Sequence, residues 1–115
     1  MKLPALLIVL ALAISPAIAA DAPDPEISHL LAVIGASGCV FIRNGKQHTA
    51  DEAVEHLEKK YRRAGDRVGD AESFIDRIAS ESSLSGRPYL IDCDGALTPT
   101  REWLTAKLGA YRDAP

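Results

Sequence analysis

Two cysteines, Cys39 and Cys93, constrain this chain more than any other feature. Each stands in a stretch whose composition favours extended backbone, Cys39-Val40-Phe41-Ile42-Arg43 and Tyr89-Leu90-Ile91-Asp92-Cys93-Asp94. Residues two apart share a face of a strand, so Cys39 goes with Phe41, and Cys93 with Ile91 and Tyr89. If the two strands are neighbours, a disulfide joins them or their ends on the core side. Such a bond closes a loop of about 55 residues, for which the chain-entropy treatment gives roughly 4 kcal/mol. Whether it forms depends on the compartment.

The first residues address the compartment. Met1-Lys2 is a minimal positive start, residues 3–14 are an apolar run interrupted by Pro4, and Ala17-Ile18-Ala19 has the small-x-small pattern of a leader cleavage site. The expected cut follows Ala19, with Ala20 as the alternative. The apolar run is shorter than the roughly 20 residues of a membrane span. Membrane contact is therefore expected only through an uncleaved leader. The expected organisation is a signal peptide over 1–19, a tether over 20–25 and a single domain over 26–112. An exported domain of about 95 residues buries a modest share of its surface and is often stapled covalently. The two cysteines allow one intramolecular pair, so the disulfide is the expected state. There is no C-x-x-C pair, and no cationic cluster beside either thiol to lower its pKa. The net charge of −3 becomes one unit more acidic when Lys2 leaves with the leader. That argues against nucleic acid, whose phosphates need clustered cations.

Along the domain, Asp24-Pro25-Glu26 is a helix start, and Ile27, Leu30, Leu31 and Ile34 give one apolar face over residues 25–37. Asn44-Gly45 between residues 39–43 and 46–48 is a two-residue hairpin signal. Thr49 and Glu52 make a capping box for a second helix, in which Val54, Leu57, Tyr61 and Ala64 share a face up to Gly65. Asp70 caps a third helix with Ala71, Phe74, Ile75, Ile78 and Ser82 inward, expected to run out at residues 81–83. Thr98-Pro99 reads as an N-cap with proline at the first position of a last amphipathic helix. The expected fold class is α+β: a three-stranded sheet, made of a hairpin over 39–48 and a strand over 89–94, with about four helices and one disulfide. The direction of the third strand is open, and no internal repeat stands out.

Chemistry-bearing patterns are few. His29, His48 and His56 form no H-x-x-x-H or H-E-x-x-H pair, so they read as surface histidines and no metal or other cofactor is expected. Asp92-Cys93-Asp94-Gly95 echoes part of a calcium loop, but Leu90 and Arg101 occupy its first and bidentate positions; Asp94-Gly95 reads as a turn. There is no G-x-S-x-G elbow, and no catalytic residue is assigned. The basic run 59–63 reads as a solvated helix end with acidic partners at Glu55 and Glu58. The loop Ser83-Leu84-Ser85-Gly86-Arg87-Pro88-Tyr89 is the candidate binding surface, with Ser83, Ser85, Gly86, Arg87 and Tyr89 as its residues. Ser85-Gly86-x-x-Tyr89 resembles the S-G-x-x-Y loop of certain periplasmic lysozyme inhibitors, which implies hydroxyls presented to catalytic carboxylates, although those proteins are mostly β.

Ile27-Ser-His-Leu-Leu31, Ser37-Gly-Cys-Val-Phe-Ile-Arg-Asn-Gly45, Ala53-Val-Glu-His-Leu-Glu-Lys-Lys-Tyr61, Ala64-Gly-Asp-Arg67, Phe74-Ile75 and residues 82–93 together resemble the YfeK-like family of small exported bacterial proteins, a domain of unknown function. The resemblance spans residues 26–111. It implies a periplasmic location and pairing of Cys39 with Cys93, and it implies no activity. The expected function is that of a non-enzymatic binding module of the cell envelope, with an unidentified envelope protein or polymer as partner. A lysozyme-type inhibitor acting through residues 85–89 and an envelope hydrolase are the alternatives.

Overall fold

The structure is a computed structural model and describes residues 24–115 together with Ala5. The expected leader, its cleavage point and residues 20–23 lie outside the described residues, Ala5 aside. The elements follow as α1 (Pro25–Ala36), β1 (Val40–Arg43), β2 (Lys46–His48), α2 (Ala50–Ala64), a 3₁₀ turn (Gly65–Arg67), α3 (Ala71–Arg77), β3 (Leu90–Cys93), β4 (Ala96–Pro99) and α4 (Thr100–Asp113). The fold is α+β, with four helices against one antiparallel sheet in the order β2-β1-β3-β4. Among the described residues no helix is long and apolar enough to cross a membrane.

Local chemistry sets most of these bounds. The Asp24 carboxylate accepts from the backbone N–H groups of Glu26 and Ile27 and starts α1. The Thr49–Glu52 capping box closes in both directions at the start of α2. Asn44 and Gly45 both take positive φ, 51° and 77°, as a type I′ hairpin turn requires.

The sheet has four strands where three were expected. Asp94 (φ 55°) and Gly95 (φ 88°) form a second turn of the same kind, and it leads back into β4, whose residues pair with β3 from Leu90↔Pro99 to Cys93↔Ala96. Pro99 ends this strand instead of entering the helix. An edge strand tolerates proline because no neighbour asks for its N–H. The open direction of the third strand is also settled: β3 runs antiparallel to β1.

Helix α3 is shorter than its apolar periodicity suggested. Ser80 Oγ donates to the Ile75 carbonyl, Tyr89 N–H donates to the Ser80 carbonyl, and Glu81 bridges Pro88. Backbone groups of residues 80–82 are thus taken by the returning chain, and Ile78, Ser80 and Ser82 are buried without being helical.

Element order repeats: a helix, a hairpin and a second helix occur twice, as α1-β1-β2-α2 and α3-β3-β4-α4. The hairpins match at a constant offset, Asn44-Gly45 with Asp94-Gly95, while the buried faces of the following helices, Ala53 and Leu57 against Leu104 and Leu108, are set one residue further on. Most other equivalent positions differ, which hides the repeat in the sequence.

The helices pack on the sheet face that carries Phe41 and Ile91, which pair directly across β1 and β3. Phe74, Ile27, Leu30, Ile34, Ile91 and Leu104 are fully buried there. Arg112 on α4 grips both oxygens of Glu26 on α1, at 2.7 and 2.9 Å, and lies 2.6 Å from Glu72 on α3. This clamp at the surface is open to screening by salt. Cys39 and Cys93 are disulfide-bonded with Cα atoms 4.6 Å apart at a sequence separation of 54. That spacing is the one expected for a closely paired position of an antiparallel ladder.

Replacing both cysteines by serine, or reducing the bond, is expected to lower the unfolding free energy by about 4 kcal/mol, read from denaturant curves. An unchanged midpoint would contradict the staple.

Candidate functional site

Continuing the β1–β3 register by one position beyond Ile42↔Leu90 sets Arg43 opposite Tyr89. In the other direction it sets Cys39 opposite Cys93. One end of the central ladder is therefore covalently stapled, and the other carries a polar cluster. Helix α2 covers that end with Glu52, His56 and Lys60, a stripe at i, i+4 spacing. A cavity of about 280 Å³ opens there, lined by Phe41, Arg43, His48, Glu52, His56, Tyr89 and Thr100, and Lys60 reaches the cluster through the Tyr89 hydroxyl.

The contacts run as a chain. Arg43 Nη1 lies 2.6 Å from His56 Nδ1 and 2.9 Å from Nε2. His56 Nε2 is 3.1 Å from the Tyr89 hydroxyl, and Lys60 Nζ donates to the same oxygen at 3.1 Å. Lys60 also donates to the Glu81 carbonyl at 3.0 Å and sits 4.9 Å from the Tyr89 ring centre. Arg43 and Lys60 are obligate donors, so a neutral His56 accepts from Arg43 through its unprotonated nitrogen and the Tyr89 oxygen accepts from Lys60.

The electrostatics agree with this arrangement. Burial, then the nearby Arg43, Lys60, His48 and Arg63, push His56 down from 6.5 to about 4. Burial also lowers Lys60, against the opposing pull of Glu81, and raises the Tyr89 phenol. Among the described residues, neither Arg43 nor Lys60 has a carboxylate within ion-pairing distance. The cluster is rich in donors and poor in acceptors.

Two buried side-chain atoms among the described residues lack a hydrogen-bond partner, His48 Nε2 and Thr100 Oγ1, and both residues line this cavity. Thr100 is 1 % exposed. Buried polar atoms are nearly always paired, so two orphans on one cavity single it out. A wider groove of about 1340 Å³ between α1 and α2 has an apolar floor at Leu31 and Val54 and acids at Asp24, Asp51 and Asp66. It has neither orphaned atoms nor a linked cluster, and it ranks below the smaller cavity on those grounds.

Of the residues expected to form the site, Tyr89 alone enters the cavity; it is 6 % exposed, with its ring in the core. Ser83, Ser85, Gly86 and Arg87 are exposed on a closed turn, tied by Ser82 N–H to the Arg87 carbonyl and Gly86 N–H to the Ser82 carbonyl. The Ser85 hydroxyl donates to Asn44 Oδ1 at 2.6 Å and accepts from Arg87 N–H at 3.2 Å. Asn44 Nδ2 donates to Ser82 Oγ at 3.3 Å. The loop is thereby braced on the β1–β2 turn. His29 stacks on Tyr111, whereas His48 and His56 belong to the cavity and are not simple surface groups. The Glu52-His56-Lys60 stripe was the available signal for the site. It is masked by the neighbouring stripe that holds the Glu55–Lys59 pair. Among the described residues no group of three or more His, Cys, Asp or Glu is placed to hold a metal ion.

His56 is expected to titrate near pH 4 by NMR in the folded chain; a midpoint near 6.5 would contradict its placement. Between those two values the unfolded chain binds a proton that the folded chain does not. Stability is therefore expected to fall as pH drops from 6.5 towards 4, and His56→Gln should flatten that slope.

Comparison with known proteins places these features in a family. A stretch of 49 residues is 49 % identical to the uncharacterized protein YfeK of Salmonella typhimurium, covering 43 % of this chain and 41 % of that protein. No solved structure matches the chain. The model of a family of unknown function, DUF5329, matches residues 21–112, nearly the whole of the described domain. This chain belongs to the DUF5329 family of unknown function.

Proposed function

We propose that this protein is an exported, non-enzymatic binding module of the bacterial cell envelope whose ligand places an anionic group in the Arg43–His56–Tyr89 cavity, beside Lys60. The observation that carries this reading is the excess of donors. Arg43 faces the cavity and Lys60 is bonded to the Tyr89 hydroxyl on its lining, and neither cation has a carboxylate partner among the described residues. An anion supplies the acceptors these groups lack, and bonds to ionised donors are stronger than neutral ones. The guanidinium favours an oxyanion with two oxygens in one plane.

Binding is favoured over catalysis because no activated nucleophile lines the cavity. Burial raises the Tyr89 phenol, the reverse of activation, and Thr100 has no base beside it. The leader pattern over 1–19 and the disulfide support export and residence in the periplasm. The cavity carries the reading in place of the 83–87 loop, whose Ser85 hydroxyl is engaged with Asn44.

The test is a thermal-shift and calorimetric screen of propionate, succinate and inorganic phosphate against the oxidised chain. A ligand at a hundredfold its Kd stabilises the folded state by about 2.7 kcal/mol. Arg43→Gln is expected to weaken binding about 10- to 100-fold, as loss of a charged hydrogen bond does. Failure of every anion to shift the midpoint would overturn the reading.

A further inference from the structure

The cavity is polar along its length, and this points to a narrower class of ligand than an anion alone. Going down the α2 stripe, Glu52, His56 and Lys60 take the charge from negative through neutral to positive, in steps of about 6 Å. The sheet matches this order. His48 stands beside Glu52, with Nδ1 4.0 Å from Oε2, while Arg43 and Tyr89 stand beside His56 and Lys60. Glu52 Oε1 accepts from Thr49 N–H at 2.9 Å, which leaves Oε2 turned towards His48.

His48 Nε2 is buried and unpartnered, and the Glu52 carboxylate nearby makes that end negative, while Arg43 and Lys60 make the other end positive and rich in donors. Thr100 Oγ1, whose own backbone N–H bonds the Tyr89 carbonyl, adds an unpartnered hydroxyl on the donor side. Phe41, Ala53 and Leu57 supply the apolar wall between them.

Building on the anion-binding reading, we propose that the ligand is dipolar and of dipeptide size. Its ammonium group lies at the Glu52–His48 end, and its carboxylate lies among Arg43, His56, Lys60 and Tyr89. Two residues of extended chain span about 7 Å, close to one step of the stripe. A cavity of about 280 Å³ holds a molecule of that size but not a folded partner. An anion of high charge fits less well, because Glu52 stands on the lining, while Glu55 there is paired with Lys59.

The experiment is calorimetry on the oxidised chain with Ala-Ala, N-acetyl-Ala-Ala, Ala-Ala amide, 5-aminopentanoate, propionate and inorganic phosphate. Ala-Ala is expected to bind at least tenfold more tightly than either blocked form. Glu52→Gln, which keeps the capping box, is expected to remove the advantage of Ala-Ala over the N-acetyl form. Equal binding of 5-aminopentanoate also supports the inference and assigns recognition to charge separation instead of the peptide bond. If propionate, phosphate or N-acetyl-Ala-Ala binds as tightly as Ala-Ala, the dipolar ligand is overturned while the anion site stands. If no probe binds, the anion site itself falls.

Discussion

The antiparallel pairing of β1 with β3 is the interaction on which the rest of the structure depends. Each strand is also one arm of its own tight hairpin, so this single ladder makes one sheet out of two local units. Phe41 and Ile91 meet at its middle, and the helices close over them. Contacts of such sequence separation carry a large loop-closure entropy, which the disulfide at one end of the ladder offsets. The opposite end has no covalent tie. Arg43 and Tyr89 occupy the equivalent place, and the polar cavity opens beside them.

The two ends of the central ladder carry different chemistry, and one end holds the disulfide of Cys39 with Cys93. At the other end lie a histidine with a depressed pKa, a lysine partly desolvated by burial, and a tyrosine shared between them. Perturbed ionisable groups gathered in a concave site mark it as a candidate functional site.

The helix starts at Asp24, Thr49 and Asp70, the turn at Asn44-Gly45, and the inward face of α3 were all legible in the sequence, since each rests on contacts between near neighbours. The fourth strand was missed because Thr98-Pro99 reads as well for a helix start as for the end of an edge strand. The site was half legible. Tyr89 was picked out for its loop motif, and its hydroxyl does enter the cavity, but its ring fills the core. The residues that surround it, Arg43, His56 and Lys60, come from elements that meet only in the folded chain.

The sequence by itself determined the caps, the hairpin at Asn44-Gly45, the amphipathic faces and the possibility of a single disulfide, because each depends on residue types at short, fixed spacing. Tertiary structure alone decided the antiparallel order of the strands, the early end of α3 and the convergence of Arg43, His48, His56, Lys60, Tyr89 and Thr100. Those features depend on which backbone groups of distant segments satisfy one another, and on which side chains burial then strips of water. Neither quantity is written in any one stretch of the chain.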